Sequence, residues 1–224
     1  MPSIANKAVL IHAPLGCPLG EACEAAFLGE GARVYATQRP PIAENFDHLS
    51  DAGWATLMRQ CLQKLGHLDI FICCAPRASG TPITDTSLDE FQATLYGSAL
   101  TAWLGQKHAI MAMRAHGQPG AIVHITSILA RSVAQNAAAR SAAEAGILMS
   151  SKAAALECAK QQDNILVNTV LAGPIQEDGP QGLLRDSPLV GAADVAAAAV
   201  FLASDGARYT TGTELAVDRA MLAQ

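Results

Sequence analysis

The side chains whose types and spacing could do chemistry meet in the middle of the chain. Ser127 closes an apolar run, Ala121-Ile122-Val123-His124-Ile125-Thr126-Ser127. Beyond a stretch of small residues comes Arg140-Ser141-Ala142-Ala143-Glu144. Positions 140 and 144 stand one helical turn apart, on one face of a helix. A hydroxyl, a guanidinium and a carboxylate in this arrangement allow two readings. Arg140 and Glu144 can pair with each other, a contact worth about 0.3 kcal/mol if it is exposed. Alternatively, Ser127 and Arg140 hold a carboxylate, halide or phosphate in an anion pocket. Proton transfer at position 140 is excluded, because an arginine neither gives up nor recovers its proton near neutrality.

The elements that must position these groups can be read along the chain. Residues 7–12 are an apolar strand, 19–30 a helix ending at Gly31, and 32–37 a second strand. Pro40 and Pro41 open a short span in which 42–46 could supply a brief strand. A helix follows over 50–66 from a Ser50 cap, then an apolar strand over 69–74. Residues 86–116 read as one long helix, with Ser87 and Glu90 as a capping box. Strand 120–127, helix 138–161, strand 165–170, helix 192–204 and strand 213–217 complete the order. Such alternation predicts an α/β fold, one doubly wound parallel-sheet domain over residues 1–224.

Composition narrows the function classes. Of 224 residues, 50% are hydrophobic and 16% charged, which fits a folded globular chain. A net charge of −5 and 4% aromatics give neither the basic footprint nor the stacking platform of a nucleic-acid binder. Apolar runs are too short for a membrane span, and no signal-peptide pattern opens the chain, so a cytoplasmic protein is expected. Six cysteines (17, 23, 61, 73, 74 and 158) match no zinc spacing and are expected to be reduced and buried. The histidines are dispersed, and no metal site is expected.

Two further stretches carry a resemblance. Val200-Phe201-Leu202-Ala203-Ser204-Asp205 with Thr211-Gly212-Thr213-Glu214-Leu215-Ala216-Val217-Asp218, and the loop from Val167 to Ile175, are similar to closing segments of the short-chain dehydrogenase/reductase family. Together with Ser127 and its offset to 140 and 144, the resemblance covers essentially the whole chain. It implies a Rossmann domain, an NAD(P) cofactor, and a catalytic tetrad of Asn, Ser, Tyr and Lys. The matching positions are Thr94, Ser127, Arg140 and Glu144, and only Ser127 agrees. Tyr96 lies two residues from Thr94 on another helix face and cannot simply take over.

The implied cofactor positions have changed as well. Aligned on Gly16, the family's glycine loop has His12 and Pro18 at its other two glycines, and moving the last glycine to Gly20 does not restore the first. Proline removes a donor and adds bulk where a phosphate should approach, although it is also a good first-turn residue. Gln38 and Arg39 stand where the family meets the adenosine ribose; Arg39 is either a phosphate contact or a solvated surface charge. Cys73-Cys74-Ala75-Pro76 replaces the Asn-Asn-Ala-Gly that floors the adenosine site. The segment over the substrate, 175–191, is short.

The small and apolar residues of helices 86–116 and 138–161 fit the family's subunit contacts. The expectation is a catalytically silent family member without bound nicotinamide cofactor. It would be a structural or regulatory subunit, in an oligomer with itself or with an active dehydrogenase paralogue. The alternatives are a divergent NAD(P)-dependent oxidoreductase, or an anion or small-molecule site built on Ser127 and Arg140.

Overall fold

The computed structural model describes residues 4–38, 46–76, 80–176 and 189–223. Six strands form one sheet: β1 (Ala8–His12), β2 (Arg33–Ala36), β3 (Ile70–Cys74), β4 (Gly120–Ser127), β5 (Ile165–Ala172) and β6 (Glu214–Val217). Their order is β2-β1-β3-β4-β5-β6, with every neighbouring pair parallel. The chain winds one way from β1 to β2 and the other way from β3 onward. That reversal opens a crevice at the carboxyl ends of β1 and β3, where folds of this topology bind ligands.

Both sheet faces are covered, so the central strands read as continuous apolar runs rather than alternating ones. Helices α1 (Pro18–Gly29) and α6 (Ala192–Ala203) close one face over Val9, Ile11, Ile72 and Val123. Helices α2 (Asp51–Leu65), α4 (Thr101–His116) and α5 (Ala138–Gln161) close the other over Leu10, Phe71, Ile122 and Val167. None of the six cysteines forms a disulfide, and all are buried in these layers. No described helix is long and apolar enough to cross a membrane.

The expected long helix is continuous from residue 88 and contains one widened turn. It runs as α3 (Leu88–Leu95), a π turn at Tyr96–Leu100, and then α4. The Tyr96 carbonyl accepts from the Thr101 N–H, the i→i+5 bond of the π turn, and also from the Thr101 hydroxyl at 3.0 Å. The expected capping box is half made: Ser87 Oγ accepts from Glu90 N, while the Glu90 carboxylate takes the Thr81 hydroxyl. Ser50 caps α2 as expected, accepting from Gly53 N. The brief strand expected at 42–46 lies outside the described residues except for Phe46, which is in no strand and packs beside His12 and Trp54. Most of the short segment 175–191 also lies outside them.

Gly105 sets how closely α4 approaches the sheet. A Cβ there would stand 2.7 Å from both Phe71 Cζ and a Trp54 ring carbon, and both rings are fully buried. Replacing Gly105 by Ala should gain about 1 kcal/mol of helix propensity. It should lose about 1–3 kcal/mol to overpacking, because neither ring is free to move aside. Urea unfolding of Gly105→Ala is therefore expected to show a net loss of about 1 kcal/mol. A stabilised variant would mean that the rings do yield.

Candidate functional site

Strand β4 and helix α5 bring the central residues together. Thr126 faces the side of the sheet on which α5 lies, and Glu144, in the second turn of α5, reaches it. The Glu144 carboxylate accepts from the Thr126 hydroxyl in a short hydrogen bond, from Ser127 N at 3.2 Å and from Arg140 Nε at 3.2 Å. Side-chain exposure is 2% for Glu144 and 15% for Arg140, so the exposed-pair energy does not apply here. A carboxylate this deep is tolerable only because donors surround it. Ser127 is engaged twice, since its Oγ also accepts from Leu129 N at 3.2 Å and caps a single 3₁₀ turn over residues 128–130. The fourth expected position is elsewhere occupied: Thr94 gives its hydroxyl to the Glu90 carbonyl of its own helix. Tyr96 sits half-exposed in the π turn.

The turn after β1 is shaped by Gly16, in the left-handed region at φ 70°. Cys17 N donates to the Pro14 carbonyl, and Pro18 begins α1 with no N–H. Two positions that would present amides to a pyrophosphate at this helix terminus are thus spent or missing. The close approach of β1 and α1 falls at Gly20, where a Cβ would meet Ala13 Cβ at 2.4 Å. The His12 ring turns under the sheet, edge-on to Phe46 and Trp54, with Nδ1 2.9 Å from Thr37 Oγ1. Burial, and next the neighbouring His48, lower its pKa from the usual 6.5 to about 3. A neutral, buried His12 offers no charge to an anion.

At the adenosine end, Gln38 is buried; its Nε2 donates to Glu24 Oε2 at 3.2 Å, and its Oε1 has no hydrogen-bond partner. Among the described residues at this end, that acceptor would suit a ribose hydroxyl. Arg39 lies outside the described residues. Cys74 is buried on the α1 side and Cys73 on the α2 side. Burial, with Cys74 adding to it, pushes the Cys73 thiol well above its usual pKa. Both thiols act as small apolar fillers.

The histidines are less dispersed in space than in sequence. Parallel register aligns His12, Cys73 and His124 across β1, β3 and β4. Rings of Trp54 and Phe71 complete the layer between the two histidines. His124 Nε2 lies 3.1 Å from Gln106 Oε1, and burial lowers its pKa to about 4. At the opposite, amino end of the strands, His67, Asp69 and His116 also converge.

A parallel sheet with its crevice between β1 and β3, and a serine–helix frame over the carboxyl edge of β4, define a Rossmann-type protein of the dehydrogenase class. Residues 32–221 match a family model described as enoyl-(acyl carrier protein) reductase. The oxidoreductase YohF of Escherichia coli K12 is 30% identical over 177 residues, covering 73% of this chain and 68% of that protein. The NADP-dependent (R)-specific alcohol dehydrogenase of Lentilactobacillus kefiri is 26% identical, covering 92% of this chain and 93% of its own. A crystal structure described as a short-chain dehydrogenase/reductase from Burkholderia xenovorans superposes with a TM-score of 0.88 at 26% identity, over 100% of this chain and 99% of that one. The chain belongs to the short-chain dehydrogenase/reductase family.

A nicotinamide cofactor fits these residues poorly. The family's lysine position carries a carboxylate already satisfied from within the chain, and the helix terminus at Pro18 is short of donors.

Two measurements follow. Glu144→Ala leaves the Thr126 hydroxyl and the Ser127 amide buried without an acceptor, at about 1–3 kcal/mol each before relaxation. Arg140→Ala leaves a buried carboxylate without its cation, a change that costs about 3–5 kcal/mol in buried pairs. Chemical unfolding should show a loss of at least about 2 kcal/mol in each variant; a loss below about 1 kcal/mol in both, the cost of an exposed pair, would deny the carboxylate its fastening role.

The second concerns acid. His12 and His124 have depressed pKa values when folded, so only the unfolded chain takes up their protons as pH falls below about 6.5. Their share of stability is unchanged above that pH and should shrink by about 2 kcal/mol per histidine at pH 5. Unfolding free energies from urea titration at pH 7 and pH 5 should differ by about 2 kcal/mol less in His124→Gln than in wild type. Identical differences would mean that His124 titrates normally.

Proposed function

We propose that this chain is a family member that has lost tyrosine-dependent hydride transfer and serves as a non-catalytic subunit. One observation carries the reading: the Glu144 carboxylate, at the family's lysine position, is consumed by Thr126, Ser127 and Arg140. Arg140, at the tyrosine position, has no proton to exchange, and general acid–base assistance is worth about a hundredfold to ten-thousandfold in rate. An external anion would have to displace Glu144 to reach Ser127 N and Arg140 Nε, which weighs against the anion-pocket reading. The subunit role is supported by side chains left exposed on the two long helices: Trp103 and Met111 on α4, Met149 and Leu156 on α5. Its partner would be a second copy of this chain or an active dehydrogenase paralogue.

A second reading, a divergent NAD(P)-dependent oxidoreductase, is favoured by the company the chain keeps. The Lentilactobacillus kefiri relative is an NADP-dependent alcohol dehydrogenase. The unpaired Gln38 Oε1 also offers a partner for a ribose hydroxyl.

Fluorescence titration with NADH and NADPH separates the two. The first reading expects no saturation up to millimolar cofactor, and saturable micromolar binding of either would overturn it. Native mass spectrometry of protein purified from its own host tests the subunit role, which a lone monomer would remove.

A further inference from the structure

The cluster at the amino end of the sheet has no place in the reading above. His67 lies in the turn between α2 and β3, Asp69 immediately precedes β3, and His116 is the last residue of α4. One ligand atom from each falls within 4.8 Å of the other two. His67 Nε2 stands 3.0 Å from Asp69 Oδ2, and the His67 and His116 rings are stacked, with centroids 4.5 Å apart and planes at 14°. Asp69 is buried, and its Oδ2 also accepts from Ala8 N at 2.8 Å, which fixes the carboxylate on the β1 backbone.

We propose that His67, Asp69 and His116 form a binding site for one divalent transition-metal ion of the zinc class. Two bonds of about 2.1 Å meeting at 90–110° place their ligand atoms about 3.0–3.4 Å apart, so the His67–Asp69 pair already has the spacing of adjacent ligands. His116 is exposed and completes a third position by rotating its ring. Two imidazoles and one carboxylate select this class over calcium or magnesium, which prefer all-oxygen sets. The backbone bond from Ala8 N orients the carboxylate as an outer-shell partner would. The setting favours a cation too. His116 ends a sixteen-residue helix whose last carbonyls carry the negative end of its dipole, and Gly117 closes it in the left-handed conformation. Bound there, the ion would clamp the α2–β3 turn to the end of α4. This site lies at the opposite end of the strands from the Glu144 corner and stands whether or not the chain binds a nicotinamide cofactor.

The test uses the full chain without an affinity tag. Equilibrium dialysis against Zn²⁺ should give one ion per chain, and His116→Ala should weaken binding by at least about tenfold, the loss that even outer-shell changes cause. His116 is exposed at a helix end, so this variant should fold. Cobalt(II) added to the wild type should give weak visible bands without a thiolate charge-transfer band in the near ultraviolet. In His116→Cys that band should appear, with binding restored. Absence of stoichiometric binding, unchanged affinity in both His116→Ala and His67→Ala, or a thiolate band in the wild type would each overturn the assignment.

Discussion

A carboxylate removed from water must be given hydrogen-bond donors or it destabilises the fold. Glu144 takes its donors from two elements at once: a side chain and a backbone amide at the end of β4, and the arginine one turn earlier on α5. This arrangement fastens the carboxyl edge of the sheet to its longest helix. It also decides what the edge can do. The donors an incoming ligand would use are the ones that keep Glu144 buried, so structure and binding compete for the same atoms. Within this fold the crevice at the sheet's carboxyl edge is the usual place for chemistry, and here the polar groups on its β4 side bond one another.

The β1 side is built on a different principle but reaches a related state. Its polar groups point inward: His12 toward Thr37, Phe46 and Trp54, and Gln38 toward Glu24. Burial keeps His12 and His124 neutral, so the layer they share with Trp54 and Phe71 behaves as an aromatic core rather than a charged floor. Cys73 sits between the two histidines in register, and a thiol that stays protonated suits that apolar layer. The interior under the crevice is therefore specified by packing, and Gly105 and Gly20 mark where that packing is tightest.

Much of the fold was legible because its strongest signals are local. Strand β4 and helix α5 occupy 120–127 and 138–161, as a continuous apolar run and an Ala-rich segment suggest. Strand β5 runs two residues past its expected end at 170, since Leu171 and Ala172 continue the pairing with β4 and β6. The π turn was not legible: it adds one residue to a single turn of a segment that otherwise reads as helix, which no periodicity encodes. The positions of Ser127, Arg140 and Glu144 could be read from spacing, but not which way the pair faces. Helix α5 carries Ala142, Ala143, Ala145 and Gly146 around Glu144, so no apolar stripe marks its buried side. The meeting of His67 with His116 was hidden for another reason, since only the tertiary path brings the end of α4 beside the turn before β3.

These observations bear on how the altered positions depend on one another. A lysine at 144 would set an ammonium against the Thr126 hydroxyl and the Ser127 amide, two groups that now serve as donors and of which only the hydroxyl can reverse its role. A tyrosine at 140 would remove the cation that balances the carboxylate. Neither change touches Cys17, whose amide is spent on Pro14, or Pro18, which has none. Groups held in one hydrogen-bonded network do not respond additively, so a single reversion measures packing at the β4–α5 corner and leaves the chemistry of the crevice unaddressed. On the reading proposed above, cofactor-dependent chemistry would require rebuilding the helix terminus and this corner together, because in dinucleotide-binding folds the two places meet different parts of one ligand.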